Sequence, residues 1–327
     1  MKYFVFCLLA ALLSTRDGYA QSDTTNLPEA FRFATTTGDQ LPPELLHTKS
    51  VVFVDVIDAA GRRRGDWKAL AREVHGTFKD LGIDAVAYYY WPDANAGPDA
   101  TRQLAKQLNQ RYIENIIYLS HDQSAKEYTL LIARFDTENP YVNREKKAFL
   151  MVAGTPATLA RQLDNTVRRS GLEKQNFLVI DVPEFFVGSG NVIRGNRAEG
   201  FAQDLKLDKL AIPRFGDARD SAVVRIFEPY PYEHALVDAN RSEDELRQDG
   251  FQYILQRLRT REGNIKQMLG YSTESGATNQ EPVYKYYVKH IYTGDVYLGN
   301  AWDADASWES ALINHLRNMR DDMTMGR

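Results

Sequence analysis

SVVFVDVIDAAGRRRGDW, residues 50–67, decides how the rest of the chain is read. Val51 to Ile57 is an apolar run of strand length. It leads through a polar loop with two glycines and three consecutive arginines to the first residue of an amphipathic helix. A buried strand followed by such a loop and a helix N-terminus opens an α/β sheet, and the loops leaving such strands are where open sheets bind ligands.

Working outward, Trp67, Leu70, Val74, Phe78 and Leu81 fall on one helical face, with Asp66 at the cap position and Gly82 at the stop. A second strand follows over residues 84–91 (DAVAYYYW), rich in aromatic and β-branched side chains. After the loop PDANAGPDA, a short helix carries Leu104, Leu108 and Tyr112 on one face, and residues 115–119 (NIIYL) form a third strand closing at Ser120-His121-Asp122. Both connections are long enough for right-handed crossovers, so the three strands are predicted to run parallel.

The pattern then changes. Residues 127–135 (EYTLLIARF) and 147–153 (KAFLMVA) have no room for a helix between them and predict an antiparallel pair. Thr155-Pro156 starts a helix that turns Leu159, Leu163 and Val167 inward and stops at Gly171. Residues 177–182 (FLVIDV) read as a strand buried on both faces, ended by Pro183. Residues 204–215 (DLKLDKLAIPRF) alternate well enough for an edge strand or a covering segment.

Further on, residues 222–227 (AVVRIF) begin the second unit, and Ser242 with Glu245 forms a capping box for a helix carrying Leu246, Ile254, Leu255 and Leu258. Residues 283–291 and 296–298 form a hairpin around Thr293-Gly294-Asp295. The last helix sets Trp308, Ala311, Leu312, His315, Leu316 and Met319 along one stripe. A hairpin followed by a helix thus occurs twice, at 127–170 and 283–320, without matching letters.

The fold class expected is α/β. A parallel three-strand core (strand-helix-strand-helix-strand) with an antiparallel hairpin extension is followed by a smaller α+β second unit. The divisions are a signal peptide at 1–20, a loosely packed N-terminal arm at 21–48, an α/β domain at 49–183, a Gly-rich connecting segment at 184–220 and an α+β domain at 221–327.

Lys2, the apolar residues 4–13 and Gly18-Tyr19-Ala20 before Gln21 have the three parts of a secretory leader. The apolar run is too short to span a bilayer. Cys7, the only cysteine, lies inside that run instead of just after it, so periplasmic or extracellular release without a lipid anchor is expected. The exported chain then has no cysteine for a disulfide, a thiolate metal site or a nucleophile. The leader holds two of the 40 basic and one of the 44 acidic side chains, leaving 38 against 43. A net charge near −5 gives no general attraction to nucleic acid, and no integral membrane segment is expected after cleavage.

The loop after the first strand is the leading site candidate. Gly61, Arg62, Arg63, Arg64 and Gly65 lie between a strand end and a helix N-terminus, where free amides and guanidinium forks favour phosphate, sulfate or carboxylate. Asp58, Asp93 and His121 emerge on the same sheet edge and are the weak candidates for proton transfer. The competing reading makes the arginines solvated surface charges paired with Asp58 or Asp66.

Asp55 and Asp181 sit in expected strands, where carboxylates need partners; structural pairing is the expectation for Asp55. Asp303 and Asp305 precede a helix with Ser307 as its cap, and His315 reads as a satisfied core residue. Tyr88, Tyr89, Tyr90 and Trp91, or Tyr284, Tyr286, Tyr287, Tyr292 and Tyr297, offer an aromatic platform for sugars or peptides, but alternation turns half of them into the core.

The six histidines show no local zinc spacing, and neither standard phosphate loop nor a G-x-S-x-G elbow occurs, so no metal and no cofactor is assigned. The functional expectation is a non-catalytic binding or interaction protein whose partner is a small anionic ligand or another protein. The alternative is a hydrolase acting on a phosphorylated or other anionic substrate at the C-terminal edge of the parallel sheet.

Overall fold

The computed structural model describes residues 27–32, 40–63, 65–137, 141–186, 192–272 and 281–325. The expected leader at 1–20, Arg64, Gly188 and Gly190 lie outside these residues. Two mixed sheets with helices on their faces form an α/β protein of two units.

In the first unit a short helix α1 (Glu29–Arg32) precedes β1 (Lys49–Ile57), α2 (Trp67–Leu81), β2 (Asp84–Tyr90), α3 (Trp91–Ala94), α4 (Pro98–Gln110) and β3 (Ile113–Asp122). Then come β4 (Glu127–Asp136), β5 (Tyr141–Val142), β6 (Phe149–Ala153), α5 (Pro156–Ser170) and β7 (Phe185–Phe186). The strand order is β5-β4-β3-β1-β2-β7, with β6 also on the outer edge of β4. As expected, β1 pairs in parallel with β2 and β3, while β4 is antiparallel to β3 and β6.

The two crossovers use opposite faces of this sheet. Val52, Val54 and Val56 pack with Trp67, Leu70 and Phe78 of α2 and with Leu159 and Leu163 of α5. Val51 and Phe53 pack with Leu104 and Leu108 of α4. Alternation along β1 therefore feeds two cores, and each large apolar side chain closed in this way contributes roughly 1.5–3 kcal/mol. Asp66 caps α2 by accepting from the Ala69 amide, and Thr155 caps α5.

The second unit begins with β8 (Arg197–Ala198), a turn of 3₁₀ helix at Gln203–Lys206, and β9 (Lys209–Pro213). It continues with α6 (Asp217–Phe227), β10 (His234–Val237), α7 (Glu243–Gln248), β11 (Phe251–Arg261) and α8 (Glu262–Met268). β12 (Pro282–His290), β13 (Val296–Tyr297) and α9 (Trp308–Met325) complete it. The order is β10-β9-β11-β12-β13-β8, with β9 parallel to β10 and β11 and with β12 antiparallel to β11 and β13.

The two units share one winding. In each, strand, helix, strand, helix and strand are followed by an antiparallel pair and a final helix. The order β2-β1-β3-β4-β6 matches β10-β9-β11-β12-β13. The faces agree as well: α6 and α9 share one core as α2 and α5 do, while Leu246 of α7 packs on the other face. The repetition is thus wider than the hairpin and helix legible in the letters.

Several expectations are corrected. Residues 177–182 form no strand. The segment is tied down by the amides of Gln175 and Asn176 donating to the Leu46 carbonyl and by the His75 Nε2 contact to the Ile180 carbonyl, leaving Phe177 78% and Leu178 95% exposed. Asp181 is consequently exposed and paired with Lys79. The stretch expected to cover or edge a sheet supplies β9, an interior strand, because Leu210 and Ile212 face one core and Ala211 the other.

Residues 222–227 are helical, with Val223 and Phe227, four apart, both directed into the core. The helix capped by Ser242 stops at Gln248, Gly250 turns the chain at φ +80°, and Ile254, Leu255 and Leu258 belong to β11. Tyr112 lies beyond α4, is exposed, and has a φ of 59°. The arm is not loose where it is described: Leu27 and Phe31 are buried in one core of the first sheet, and Leu41, Leu45 and Leu46 in the other. Of the aromatic runs weighed as a platform, Tyr88 to Trp91 is buried throughout, beyond the half that alternation predicts.

Candidate anion-binding site

In the first unit the three parallel strands end on one edge, with Val54 opposite Tyr90 and Ile57 opposite Asp122. The arginine loop does emerge there, but it satisfies itself. Asp58 accepts from the amides of Ala60 and Arg62, both at 2.9 Å, and pairs with the Arg62 guanidinium at 2.9 Å. The amide hydrogen bond from Arg62 is the largest cause holding the Asp58 carboxyl below its ordinary range.

Arg63 forms a bridge with Ile57 and turns its side chain onto Asp55, at 2.8 Å. Asp55 is closed to solvent and also accepts from the Tyr118 hydroxyl at 3.0 Å. Burial pushes its carboxyl up despite Arg63. The expected structural pairing is therefore present, and it draws one arginine of the loop inward.

Gly61 and Gly65, at φ +74° and +142°, let the loop fold back, and a Cβ on Gly65 would strike Val56. The glycines thus serve the turn, and the amides of Asp58, Gly61 and Arg62 are all occupied within the loop.

The three proton-transfer candidates do not gather around one point. His121 stacks on Tyr128 with ring centroids 4.1 Å apart, and burial lowers its imidazole pKa. Asp93 is buried between the units, accepting from Thr260 Oγ1 at 2.6 Å and pairing with Arg261. It is a fastening between the two halves. Asp99 is fastened in the same way, by Lys289 at 2.8 Å and by the Tyr287 hydroxyl at 2.9 Å.

These fastenings place the start of α4 against the corresponding edge of the second sheet. There β9 and β10 end at Pro213 and Val237 while β11 runs on. The Ala96 carbonyl accepts from the Arg259 amide, and a Cβ on Gly97 would strike the Arg257 carbonyl oxygen. A cleft of about 70 Å³ remains where β9 stops, walled by Pro98 and Arg102 of the first unit and by Arg214, Gln256, Arg257 and Tyr286 of the second. This is the topological position at which an open sheet takes a ligand.

Arg257 dominates the cleft. Its guanidinium lies over the Phe215 ring at 4.4 Å and has no carboxylate within salt-bridge distance among the described residues. One of its terminal nitrogens, Nη1, is buried without a hydrogen-bond partner. Burial lowers its pKa, Tyr286 works against that shift, and the like charge of Arg219 adds to it. The Nε2 of Gln256, a residue only 3% exposed, is a second buried donor without a partner.

Neighbouring charges are already engaged. Arg214 pairs with Asp220 at 3.1 Å, Arg241 with Asp249 at 2.6 Å, and Arg102 only loosely with Asp99 and Glu243, at 3.6 and 3.8 Å. Asp220 accepts from the Phe215 amide, so the start of α6 already holds an acid. The capacity for an anion therefore resides in the side chain of Arg257, which is half-buried with no acid beside it among the described residues, and an anion in the cleft would supply the missing charge.

The anion site expected at this edge of the first unit has Arg62 and Arg63 paired with Asp58 and Asp55. The signal for the corresponding edge of the second unit is the alternation after Asp249-Gly250, which makes residues 251–261 a strand and sets Arg257 beside the loop leaving β9. Among the described residues no group of three or more His, Cys, Asp or Glu side chains is arranged to hold a metal ion, and no helix is long and apolar enough to cross a membrane. In comparisons with family models, curated proteins and solved structures, nothing matched this chain.

Proposed function

We propose that this chain is an exported, non-catalytic binding protein that holds a small phosphate- or carboxylate-bearing ligand in the cleft between its two units. The observation that carries the reading is the unpartnered donor Arg257 Nη1 in a cleft bounded by both units. A guanidinium donor without an internal acceptor suits an oxyanion. Export rests on the leader pattern of residues 1–20. The hydrolytic alternative has less support, because Asp93 is committed to Arg261 and Asp58 closes its own turn.

The test is a thermal-shift and calorimetric titration of the full chain without its leader against inorganic phosphate, pyrophosphate and citrate, with chloride at equal ionic strength as reference. At least one oxyanion raises the melting temperature and binds with a defined stoichiometry, and Arg257→Met abolishes both responses. Equal shifts from chloride, or an undiminished response in Arg257→Met, would overturn the reading.

A further inference from the structure

A second and larger cavity lies in the second unit, between α6 and α9. It measures about 520 Å³, within the roughly 300–1,000 Å³ usual for small-molecule sites. Its walls are apolar, formed by Ile226 of α6, Tyr230 and Tyr232 of the loop that follows, and Ile313, Leu316 and Met323 of α9. The rim carries Arg225, Arg317 and Arg320 against a single acid, Glu309. Arg225 has no acidic partner among the described residues, Arg317 donates to the neutral Asn314, and Arg320 holds only the adjacent, exposed Asp321.

One polar group points to an occupant. Tyr230 is only 9% exposed, and its hydroxyl is buried without a hydrogen-bond partner. Its ring is held edge-on against Phe227 and Tyr232, with centroids 5.8 and 5.5 Å away. A buried hydroxyl without a partner is unfavourable, and an acceptor oxygen entering the cavity removes that cost. A neutral, fixed donor beneath a cationic rim on apolar walls is suited to an amphiphile with an acidic head.

We infer that this groove binds a long-chain carboxylate of the fatty-acid class. The hydrocarbon body lies on Ile226, Leu316 and Met323, and the carboxylate accepts from the rim arginines and Tyr230. The site is separate from the cleft at Arg257: Pro213, Arg214 and Phe215 line the cleft, and α6, which follows them, lines the groove with Arg225 and Ile226.

The test uses the full chain without its leader and laurate below its micellar concentration, followed by calorimetry and by tryptophan fluorescence, with dodecanol as the uncharged probe of equal length. Laurate binds at one site per chain, at least tenfold more tightly than dodecanol. Arg317→Gln with Arg320→Gln weakens laurate tenfold or more and leaves dodecanol unchanged, and Tyr230→Phe, which keeps the ring, weakens laurate several-fold. Thermal unfolding of each variant shows that it is folded. Equal affinity for the two probes, no saturable binding of laurate, or unchanged laurate affinity in the folded arginine variant would overturn the inference.

Discussion

The ammonium of Lys289, on the second sheet, lies 2.8 Å from the carboxylate of Asp99, on a helix of the first unit, and both side chains are closed to solvent. Glu243 approaches the same ammonium at 2.9 Å, and Tyr287 donates to the other oxygen of Asp99. Burial works to raise the Asp99 carboxyl, and Lys289, Arg102 and Tyr287 together more than reverse it. Asp99→Ala strands the ammonium and is expected to cost about 3–5 kcal/mol, measured by urea unfolding. A loss below about 1 kcal/mol would show that Glu243 alone satisfies Lys289.

Gly97→Ala isolates the fit between the units. Gly97 has an extended backbone that any residue adopts, so the only obstacle is the Arg257 carbonyl. The substitution is expected to destabilise by about 1–3 kcal/mol and to weaken anion binding in the cleft. Gly76→Ala, inside α2 with open space around it, is expected to stabilise by roughly 0.5–1 kcal/mol. Similar effects from the two would remove the case for a close approach at Gly97.

Arg63→Ala leaves Asp55 with Tyr118 as its hydrogen-bond donor. Because burial already raises the Asp55 carboxyl, the variant can relieve itself by taking up a proton. Its loss of stability against the parent chain is therefore expected to be small at pH 4.5 and about 2–4 kcal/mol at pH 8. Denaturant midpoints at the two pH values measure this, and an identical loss at both would show that Asp55 does not protonate.

His315 governs stability on the acid side of neutrality. Its ring is buried, Nδ1 lies 2.9 Å from Asp303 Oδ2, and burial lowers its pKa against the pull of Asp303. The unfolded chain therefore binds more protons below 6.5, and stability falls as pH drops through that value. For Asp303, burial is outweighed by His315 and Lys285, which hold the carboxyl down to about 2. Its own contribution is thus fully present above 3.8 and is lost only as pH falls towards 2. Melting temperatures between pH 7 and 5 are expected to decline in the parent chain and to flatten in His315→Asn. An equally steep decline in the variant would assign the acid sensitivity to another group.

The first unit was legible because its local signals agree: Asp66 and Gly82 bracket one helix, Thr155-Pro156 opens another, and period two changes to period 3.6 between them. The second unit is less so. The run at 222–227, five apolar residues and Arg225, satisfies either a strand or a buried helix, and only the packing of Val223 and Phe227 decides. Residues 177–182 have the letters of a strand but pair with no sheet, the segment being held by the hydrogen bonds of Gln175, Asn176 and His75. The cleft escaped because its parts are far apart in sequence, Arg102 on one unit and Gln256 with Arg257 on the other, and no short motif unites them.

Beyond the end of β9, the main chain of β11 is sealed by the turn at residues 96–98 through the bond between Ala96 and Arg259. A half-molecule lacking that turn would present bare amides and carbonyls along its longest strand, a template for stacking with identical copies. Keeping both halves on one polypeptide delivers the seal with every molecule made, and so guards the protein against its own aggregation.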